Sequence, residues 1–296
     1  MSYPVTKETA ERDLEIGRQI QASFLPDELP QPAGWEIASH FQAARQVAGD
    51  FYDAFKMAGG KRIGLVVGDV SDKGVGAALF MALFRSLIRA FAEQHASLGW
   101  MDILESEAAE AQHSASVGRR RELLSPGSTA LKKAVDLTND YIAINHSKAN
   151  MFATLFFGVL DPATGALTYI NAGQEPPLLV GPQGIRSRLV PTGPAVGLLP
   201  GLAFSLEQVD VEPGDLLLAF TDGVLDARSP DGESFGDQRL ARFVEQPCKS
   251  ASELLDRIQA GLSRHSAGIE QFDDITLLAV RRDNSTNHNN RVSRAD

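Results

Sequence analysis

Alternation of apolar and polar positions predicts that the first long part of the chain is β-structure. Residues 35–41 alternate apolar side chains with polar or small ones, the two-residue period of a half-buried strand. The segments 51–57 and 62–67 follow as further strands, with two glycines at 59–60 as the turn between them. Three closely spaced strands before any buried helix favour an antiparallel sheet over a βαβ unit.

A second series of strands is predicted from residue 152 onward. Residues 152–160 are almost continuously apolar, and the turn at 161–165 connects them to a partner strand at 166–171. Glycine and proline separate the later apolar segments from one another. The remaining predicted strands are 178–180, 185–190, 203–211, 215–220 and 275–280.

Helical spacing of apolar residues predicts helices between and after the two series of strands. Residues 77–91 are apolar around much of the helix surface, which predicts a well-buried helix. Ser250 and Glu253 have the spacing of a capping box at the start of the last helix. The other predicted helices are 6–25, 102–112 and 129–145. About ten strands in two series, with helices outside, predict an α+β fold in which two antiparallel sheets pack face to face.

The N-terminal helix has two open interpretations. Its apolar residues recur at helical spacing among charged ones, and it ends before Pro26. The apolar stripe could pack on the chain's own domain, or it could meet a second chain as a docking or dimerisation helix. We therefore divide the chain into a helix and linker at 1–30, a main domain at 31–282 with an exposed loop at 112–128, and a disordered tail at 283–296.

Composition and charge restrict the class of protein. The 296 residues carry a formal net charge of −10, which argues against nucleic acid as a partner because phosphate backbones usually meet a basic surface. The single cysteine, Cys248, excludes an intrachain disulfide and a cysteine-rich zinc site. No apolar run approaches the ~20 residues that span a bilayer, and no secretory signal is evident. We expect a cytoplasmic protein without a membrane partner.

Acidic residues stand at the ends of four predicted strands, at Asp50, Asp69, Asp222 and Asp273. Aspartate oxygens without histidine or cysteine suit Mg²⁺ or Mn²⁺ better than zinc. Converging carboxylates would repel each other unless cations neutralised them, and a pair of ions would do so. The alternative is that each aspartate only caps a helix or forms a turn, as most Asp-Gly pairs do.

Several short motifs resemble the SpoIIE/RsbU-type branch of the metal-dependent PPM serine/threonine phosphatases. They occur in the order typical of that family, and the resemblance extends over residues 14–281. The motifs are AARQVAGDFYD at 43–53, VGDVSDKG at 67–74, NAG at 171–173, the segment 193–201, TDGV at 221–224 and DDIT at 273–276. The resemblance implies an αββα sandwich with two Mn²⁺ or Mg²⁺ ions between the sheets.

The resemblance also implies roles for individual residues. Asp69 would bridge both ions, with the Val70 carbonyl as a backbone ligand and with metal-activated water, not a side chain, as the nucleophile. Asp222 and Asp273 would hold one ion, and Asp50 would serve the other side of the centre, directly or through water.

Two further residues have open roles, and the sequence departs from the family pattern at three positions. Asp274 is a candidate for the same role as Asp273, and Arg45 could either orient a phosphate or form a salt bridge. Alanine replaces a common proline and glycine at positions 44 and 48, and Gln174 replaces a frequent histidine.

The function implied by the resemblance is hydrolysis of phosphoserine or phosphothreonine on a partner protein. In this family the partner is typically a STAS-domain anti-anti-sigma factor, and its dephosphorylation leads to release of a sigma factor. The helix that ends near Pro26 resembles the family's switch helix. Two alternatives are a non-catalytic module that binds through this helix and the 112–128 loop, and a hydrolase of a small phosphorylated molecule.

Overall fold

Ten strands form two five-stranded sheets in the computed structural model, which describes residues 7–110 and 126–284. The strands are β1 Trp35–Gln42, β2 Asp50–Met57, β3 Arg62–Val70, β4 Ala153–Leu160, β5 Ala166–Ala172, β6 Leu178–Gly181, β7 Gly184–Arg188, β8 Glu207–Asp210, β9 Leu216–Phe220 and β10 Ile275–Arg282. Sheet 1 has the order β1-β10-β9-β6-β7, and sheet 2 has the order β2-β3-β4-β5-β8. Every strand pair is antiparallel, as the pattern predicted.

Helices cover the outer face of each sheet. The α-helices of the described residues are α1 Lys7–Ala22, α2 Val75–Glu110, α3 Pro126–Asn145, α4 Gly223–Asp226, α5 Gly236–Val244 and α6 Ala251–Ser266. Apolar residues of α2 and α3 pack with the outer face of sheet 2, and those of α4, α5 and α6 pack with the outer face of sheet 1. A third apolar layer joins the inner faces of the two sheets. The fold is therefore the expected αββα sandwich.

The three layers explain why the central strands are apolar throughout. In β3, Leu65 and Val67 belong to the layer between the sheets, whereas Val66 and Val70 belong to the layer under α2. Successive side chains of a strand point to opposite faces, so a strand covered on both faces needs apolar residues at every position.

The structure corrects several predicted boundaries. The predicted helix 77–91 and residues 102–110 of the predicted helix 102–112 belong to one helix, α2, and the predicted strand 203–211 shortens to β8. Helix α5 was not predicted, because only Leu240 and Val244 are buried within its nine residues. Most of the predicted 112–128 loop and of the 283–296 tail lies outside the described residues. Residues 126–128, however, begin α3, and Ser128 is buried.

The capping box at α6 is confirmed with one difference. The Ser250 hydroxyl accepts a hydrogen bond from the Glu253 amide at 2.9 Å, as the motif requires. The Glu253 carboxylate accepts from the amide of Lys249 at 2.8 Å, one residue earlier than in the standard motif. Ser250 thus begins the helix as the sequence predicted.

Helix α2 contains an apolar segment that is longer than expected from the sequence pattern. Residues 75–97 have a mean hydropathy of 1.6, and by length and composition alone this segment could cross a membrane. One such helix is weak evidence for a span, because the core helix of a soluble protein has the same properties. Here α2 packs against sheet 2 and α3 through Met81, Phe84 and Ile88, all of which are buried.

Two phenylalanines of β2 lie across glycines of β3. Phe51 pairs with Gly68, and Phe55 pairs with Gly64. A Cβ atom added to Gly68 would lie 2.6 Å from the Phe51 ring and 3.1 Å from the Thr154 carbonyl oxygen. The missing side chains leave space for the rings next to the strand end that carries Asp69.

Replacing Gly68 with alanine should therefore destabilise the protein. We expect Gly68→Ala to lower the free energy of unfolding by about 1–3 kcal/mol, because the added methyl group overpacks the β2–β3 pair. Urea unfolding followed by circular dichroism measures the change.

Gly76→Ala is the matched control. A Cβ atom at this position in α2 meets no atom within 4 Å. Alanine should raise the free energy of unfolding by at most about 1 kcal/mol, because it is the better helix former. Equal free energies of unfolding for the two variants would show that packing of the Phe51 ring does not require glycine at position 68.

Candidate metal centre

The fold brings the four predicted carboxylates to one edge of the sandwich. Asp50 begins β2 and is the cross-strand partner of Asp69 near the end of β3, so sheet 2 contributes one pair. Asp222 follows β9 and Asp273 precedes β10, and these two strands are neighbours in sheet 1. Each sheet thus presents two carboxylates toward the other.

Asp50 is buried between the sheets and ties them together. Its Oδ2 accepts hydrogen bonds from the hydroxyl groups of Thr221 and Thr276, each at 2.7 Å. Both threonines belong to the sheet 1 side, while Asp50 belongs to sheet 2. Burial, followed by the charge of Asp69, raises the pKa of Asp50 well above its usual value.

Asp69 is surrounded by like charges. Burial raises its pKa to about 7, and the charges of Asp222 and Asp273 contribute to the increase. Burial and the charge of Asp273 likewise raise the pKa of Asp222. Repulsion of this kind disappears when a cation lies among the carboxylates. The oxygen-only donor set fits hard divalent cations such as Mg²⁺ and Mn²⁺.

The carboxylates are close enough to affect each other's pKa values, but their side chains do not converge on one point as metal ligands do. In residues 7–110 and 126–284, no group of three or more His, Cys, Asp or Glu side chains stands in metal-ligating geometry. Occupation by a cation would therefore require side-chain adjustment at this edge.

Glycine allows the backbone to approach closely around the carboxylates. A Cβ atom on Gly49 would lie 2.9 Å from the Val70 carbonyl oxygen and 3.5 Å from Asp69 Oδ1. The Val70 carbonyl predicted as a ligand therefore lies at the same edge as Asp69. A Cβ atom on Gly223 would overlap the carbonyl oxygen of Asp274, so the Asp222 turn can approach β10 only with glycine at 223.

Asp274 has a different role from the one proposed for Asp273. Its two carboxylate oxygens accept hydrogen bonds from the backbone amides of Ala44 at 2.7 Å and Gly49 at 2.8 Å. It therefore holds the loop that leads into Asp50, and both of its carboxylate oxygens are engaged there.

Helix α1 contacts the same loop. Gln21 is buried, its Nε2 donates to the Ala48 carbonyl at 2.7 Å, and its Oε1 accepts from the Ala48 amide at 2.9 Å. The sequence showed no signal for this contact, because a glutamine on a helix is usually exposed. The N-terminal helix is thereby linked to the backbone two residues before Asp50.

Gln174, which replaces the frequent histidine of the family, is a buried link between the sheets. Its Oε1 accepts from the Thr154 hydroxyl at 2.6 Å, and its Nε2 donates to the Phe220 carbonyl at 3.0 Å. Thr154 is the cross-strand partner of Asp69, and Phe220 lies two residues before Asp222. Gln174 therefore joins β9, which leads to Asp222, to β4, the strand that pairs with the Asp69 end of β3.

Lys73 lies in the turn between β3 and α2, and no pattern in the sequence marks it as a site residue. Its Nζ lies 2.8 Å from Oδ2 of Asp273 and donates to the Phe272 carbonyl at 3.0 Å. Arg45 is exposed, and it forms no salt bridge with any residue in the described part of the chain. Its assignment to a substrate phosphate stays a prediction.

A cleft of about 230 Å³ lies beside Asp273. Its lining includes Arg228, Gln259, Ser263 and Phe272. The Phe272 ring is 59% exposed at this position. The cleft adjoins the candidate metal centre at Asp273 and Gly223.

Comparison with known proteins identifies the family. The family model described as stage II sporulation protein E (SpoIIE) matches residues 59–283. Protein IcfG of Synechocystis sp. is 45% identical over 270 residues, which are 91% of this chain and 41% of that protein. Phosphoserine phosphatase RsbU of Bacillus subtilis is 25% identical over 91% of this chain and 70% of its own length. The chain therefore spans less than half the length of IcfG.

Solved structures show the same fold. The SiaA-PP2C domain of Pseudomonas aeruginosa superposes with a TM-score of 0.67 at 21% identity, over 94% of this chain and 98% of that one. The catalytic domain of the serine/threonine protein phosphatase PstP, solved with two manganese ions, gives a TM-score of 0.55 at 15% identity, over 84% and 99%. Together with the family match, the motifs and the sandwich show that this chain belongs to the SpoIIE family, the SpoIIE/RsbU-type branch of the PPM phosphatases.

Proposed function

We propose that this chain is a metal-dependent serine/threonine protein phosphatase. The observation that carries the proposal is the set of four carboxylates, Asp50, Asp69, Asp222 and Asp273, which two facing sheets hold at one edge of the sandwich. Membership of the SpoIIE family and the activity named for RsbU support the same conclusion.

The proposed cofactor is a pair of Mn²⁺ or Mg²⁺ ions. Asp69 is the proposed bridging ligand, and Asp50, Asp222, Asp273 and the Val70 carbonyl complete the set. The two manganese ions in the PstP structure support this number. When bound, divalent ions supply Lewis-acid activation of both water and the phosphate ester.

The chain's own residues position the candidate ligands, and its single cysteine is poorly suited to act as a nucleophile. Thr221 and Thr276 orient the Asp50 carboxylate, and Asp274 fixes the loop on which Arg45 could reach a phosphate. Cys248 is half-buried away from the carboxylates, and burial raises its pKa, which disfavours a thiolate nucleophile.

The proposed substrate is a phosphoserine or phosphothreonine on a STAS-domain anti-anti-sigma partner. The cleft beside Asp273 supports a protein substrate, because it could hold residues next to the phosphorylated one. A small phosphorylated molecule would need only the candidate metal centre for binding, and not the cleft. The alternative of a non-catalytic module is less well supported, since all four carboxylates are retained.

Residues 1–30 are proposed as a switch and dimerisation segment, and residues 31–282 as the phosphatase domain. The hydrogen bonds between Gln21 and Ala48 support the switch, because movement of α1 would disturb the loop before Asp50. The exposed Ile16 and Ile20 support a second chain as the partner of α1. We place the protein in the cytoplasm.

Asp69→Asn should abolish activity and also change the response to metal. We expect loss of at least about 10²-fold in Mn²⁺-stimulated phosphate release from a phosphorylated STAS protein, because the bridging charge is lost. Mn²⁺ should raise the unfolding temperature of the unsubstituted chain, since it binds the folded state. The shift should largely disappear in Asp69→Asn.

Asp72→Asn is the matched control, because Asp72 is exposed in the turn that follows β3, three residues after Asp69. It should keep both the activity and the thermal shift within about twofold, as expected for a surface change. Retained turnover in Asp69→Asn would reject the bridging role. A chain that shows a Mn²⁺ shift but releases no phosphate would favour the non-catalytic module.

The chain should dimerise through α1. Light scattering at tens of micromolar should give about twice the 31.9 kDa mass of one chain, and Ile16→Glu with Ile20→Glu should reduce it to one chain. Glu11→Gln, a change on the same helix, should leave the dimer intact. A monomeric mass for the unsubstituted chain would count against the dimer.

A further inference from the structure

The ammonium group of Lys73 is held at one position by three contacts. Its Nζ lies 2.8 Å from Oδ2 of Asp273, donates to the Phe272 carbonyl at 3.0 Å, and lies 4.5 Å from the centre of the Phe272 ring. An exposed lysine that makes a single ion pair usually gains little from it. Here an ion pair, a hydrogen bond and a cation–π contact direct the group to the edge of the carboxylate cluster.

Lys73 contributes positive charge directly beside the four carboxylates. Within residues 7–110 and 126–284, it is the one cation at ion-pair distance from Asp50, Asp69, Asp222 or Asp273. Its charge also acts on Asp222. Without another cation, it provides the nearest offset to the mutual repulsion of the four carboxylates.

We propose that Lys73 is a displaceable internal counter-ion, which occupies Asp273 in the metal-free chain and must leave before that carboxylate can bind a divalent cation. The proposal rests on the proposed metal centre. An ammonium group and a metal ion on one carboxylate would repel each other strongly over so short a distance. The free-energy cost of breaking the Lys73–Asp273 pair is therefore part of the cost of metal binding.

Arg228 provides a natural comparison for Lys73. Its guanidinium carbon lies 5.8 Å from the centre of the same Phe272 ring, and it forms no ion pair with Asp273. Removing Arg228 takes one positive charge from the neighbourhood but leaves the Asp273 contact in place. The pair of variants separates direct displacement from a general effect of local charge.

The test is a calorimetric titration of Mn²⁺ into the purified full chain at fixed ionic strength. We expect Lys73→Met to bind Mn²⁺ about three- to tenfold more tightly, because the partly exposed pair no longer has to break. Lys73→Arg, which keeps the charge, and Arg228→Met should each stay within about twofold of the unsubstituted chain.

Thermal unfolding provides a second readout without catalysis. In EDTA, Lys73→Met should unfold at a lower temperature than the unsubstituted chain, because the carboxylates lose their counter-ion. With saturating Mn²⁺ the difference should disappear. Lys73→Gln removes the charge but retains a donor for the Phe272 carbonyl. It is therefore the control for local misfolding of the turn in Lys73→Met.

The possible outcomes distinguish this inference from the proposed function. If the unsubstituted chain does not bind Mn²⁺ at all, the proposed metal centre fails. If it binds Mn²⁺ and both Lys73→Met and Lys73→Gln bind equally or more weakly, the lysine is not displaced and the inference is overturned. If Arg228→Met tightens binding as much as Lys73→Met, the effect is general electrostatics and the inference is again overturned.

Discussion

At the candidate metal centre, the arrangement of the two sheets depends on the hydrogen bonds that the buried carboxylate of Asp50 accepts. Taking a carboxylate out of water is costly unless it receives hydrogen bonds. Here the donors are the hydroxyl groups of Thr221 and Thr276, which come from the opposite sheet. The same bonds that compensate its burial therefore also set the position of sheet 2 relative to sheet 1.

Other polar links reinforce this edge, while apolar packing holds the rest of the sandwich. Asp274 binds the loop before Asp50, and Gln174 joins Thr154 of β4 to Phe220 of β9. Hydrogen bonds have defined distances and directions, whereas apolar contacts tolerate some sliding. Polar links thus position the strand ends that carry the carboxylates more sharply than core packing could alone.

The same edge concentrates negative charge, and this connects the fold to the proposed chemistry. Burial and neighbouring charge both raise the pKa of Asp69. A fold that holds such carboxylates together is best stabilised when a cation offsets their repulsion. Lys73 supplies part of that offset from within the chain, and Gln21 connects the loop before Asp50 to the N-terminal helix.

The sequence by itself determined the αββα architecture and the four candidate ligands. The two-residue and helical periods identified ten strands and the long helices, and the aspartates at strand ends marked the site. These features follow from local patterns, which a single chain displays directly. Only the tertiary structure decided that Asp274 holds a loop, that Gln174 links the sheets and that Lys73 pairs with Asp273, two hundred positions away. Such partners are set by how the sheets face each other, and no local pattern records that geometry.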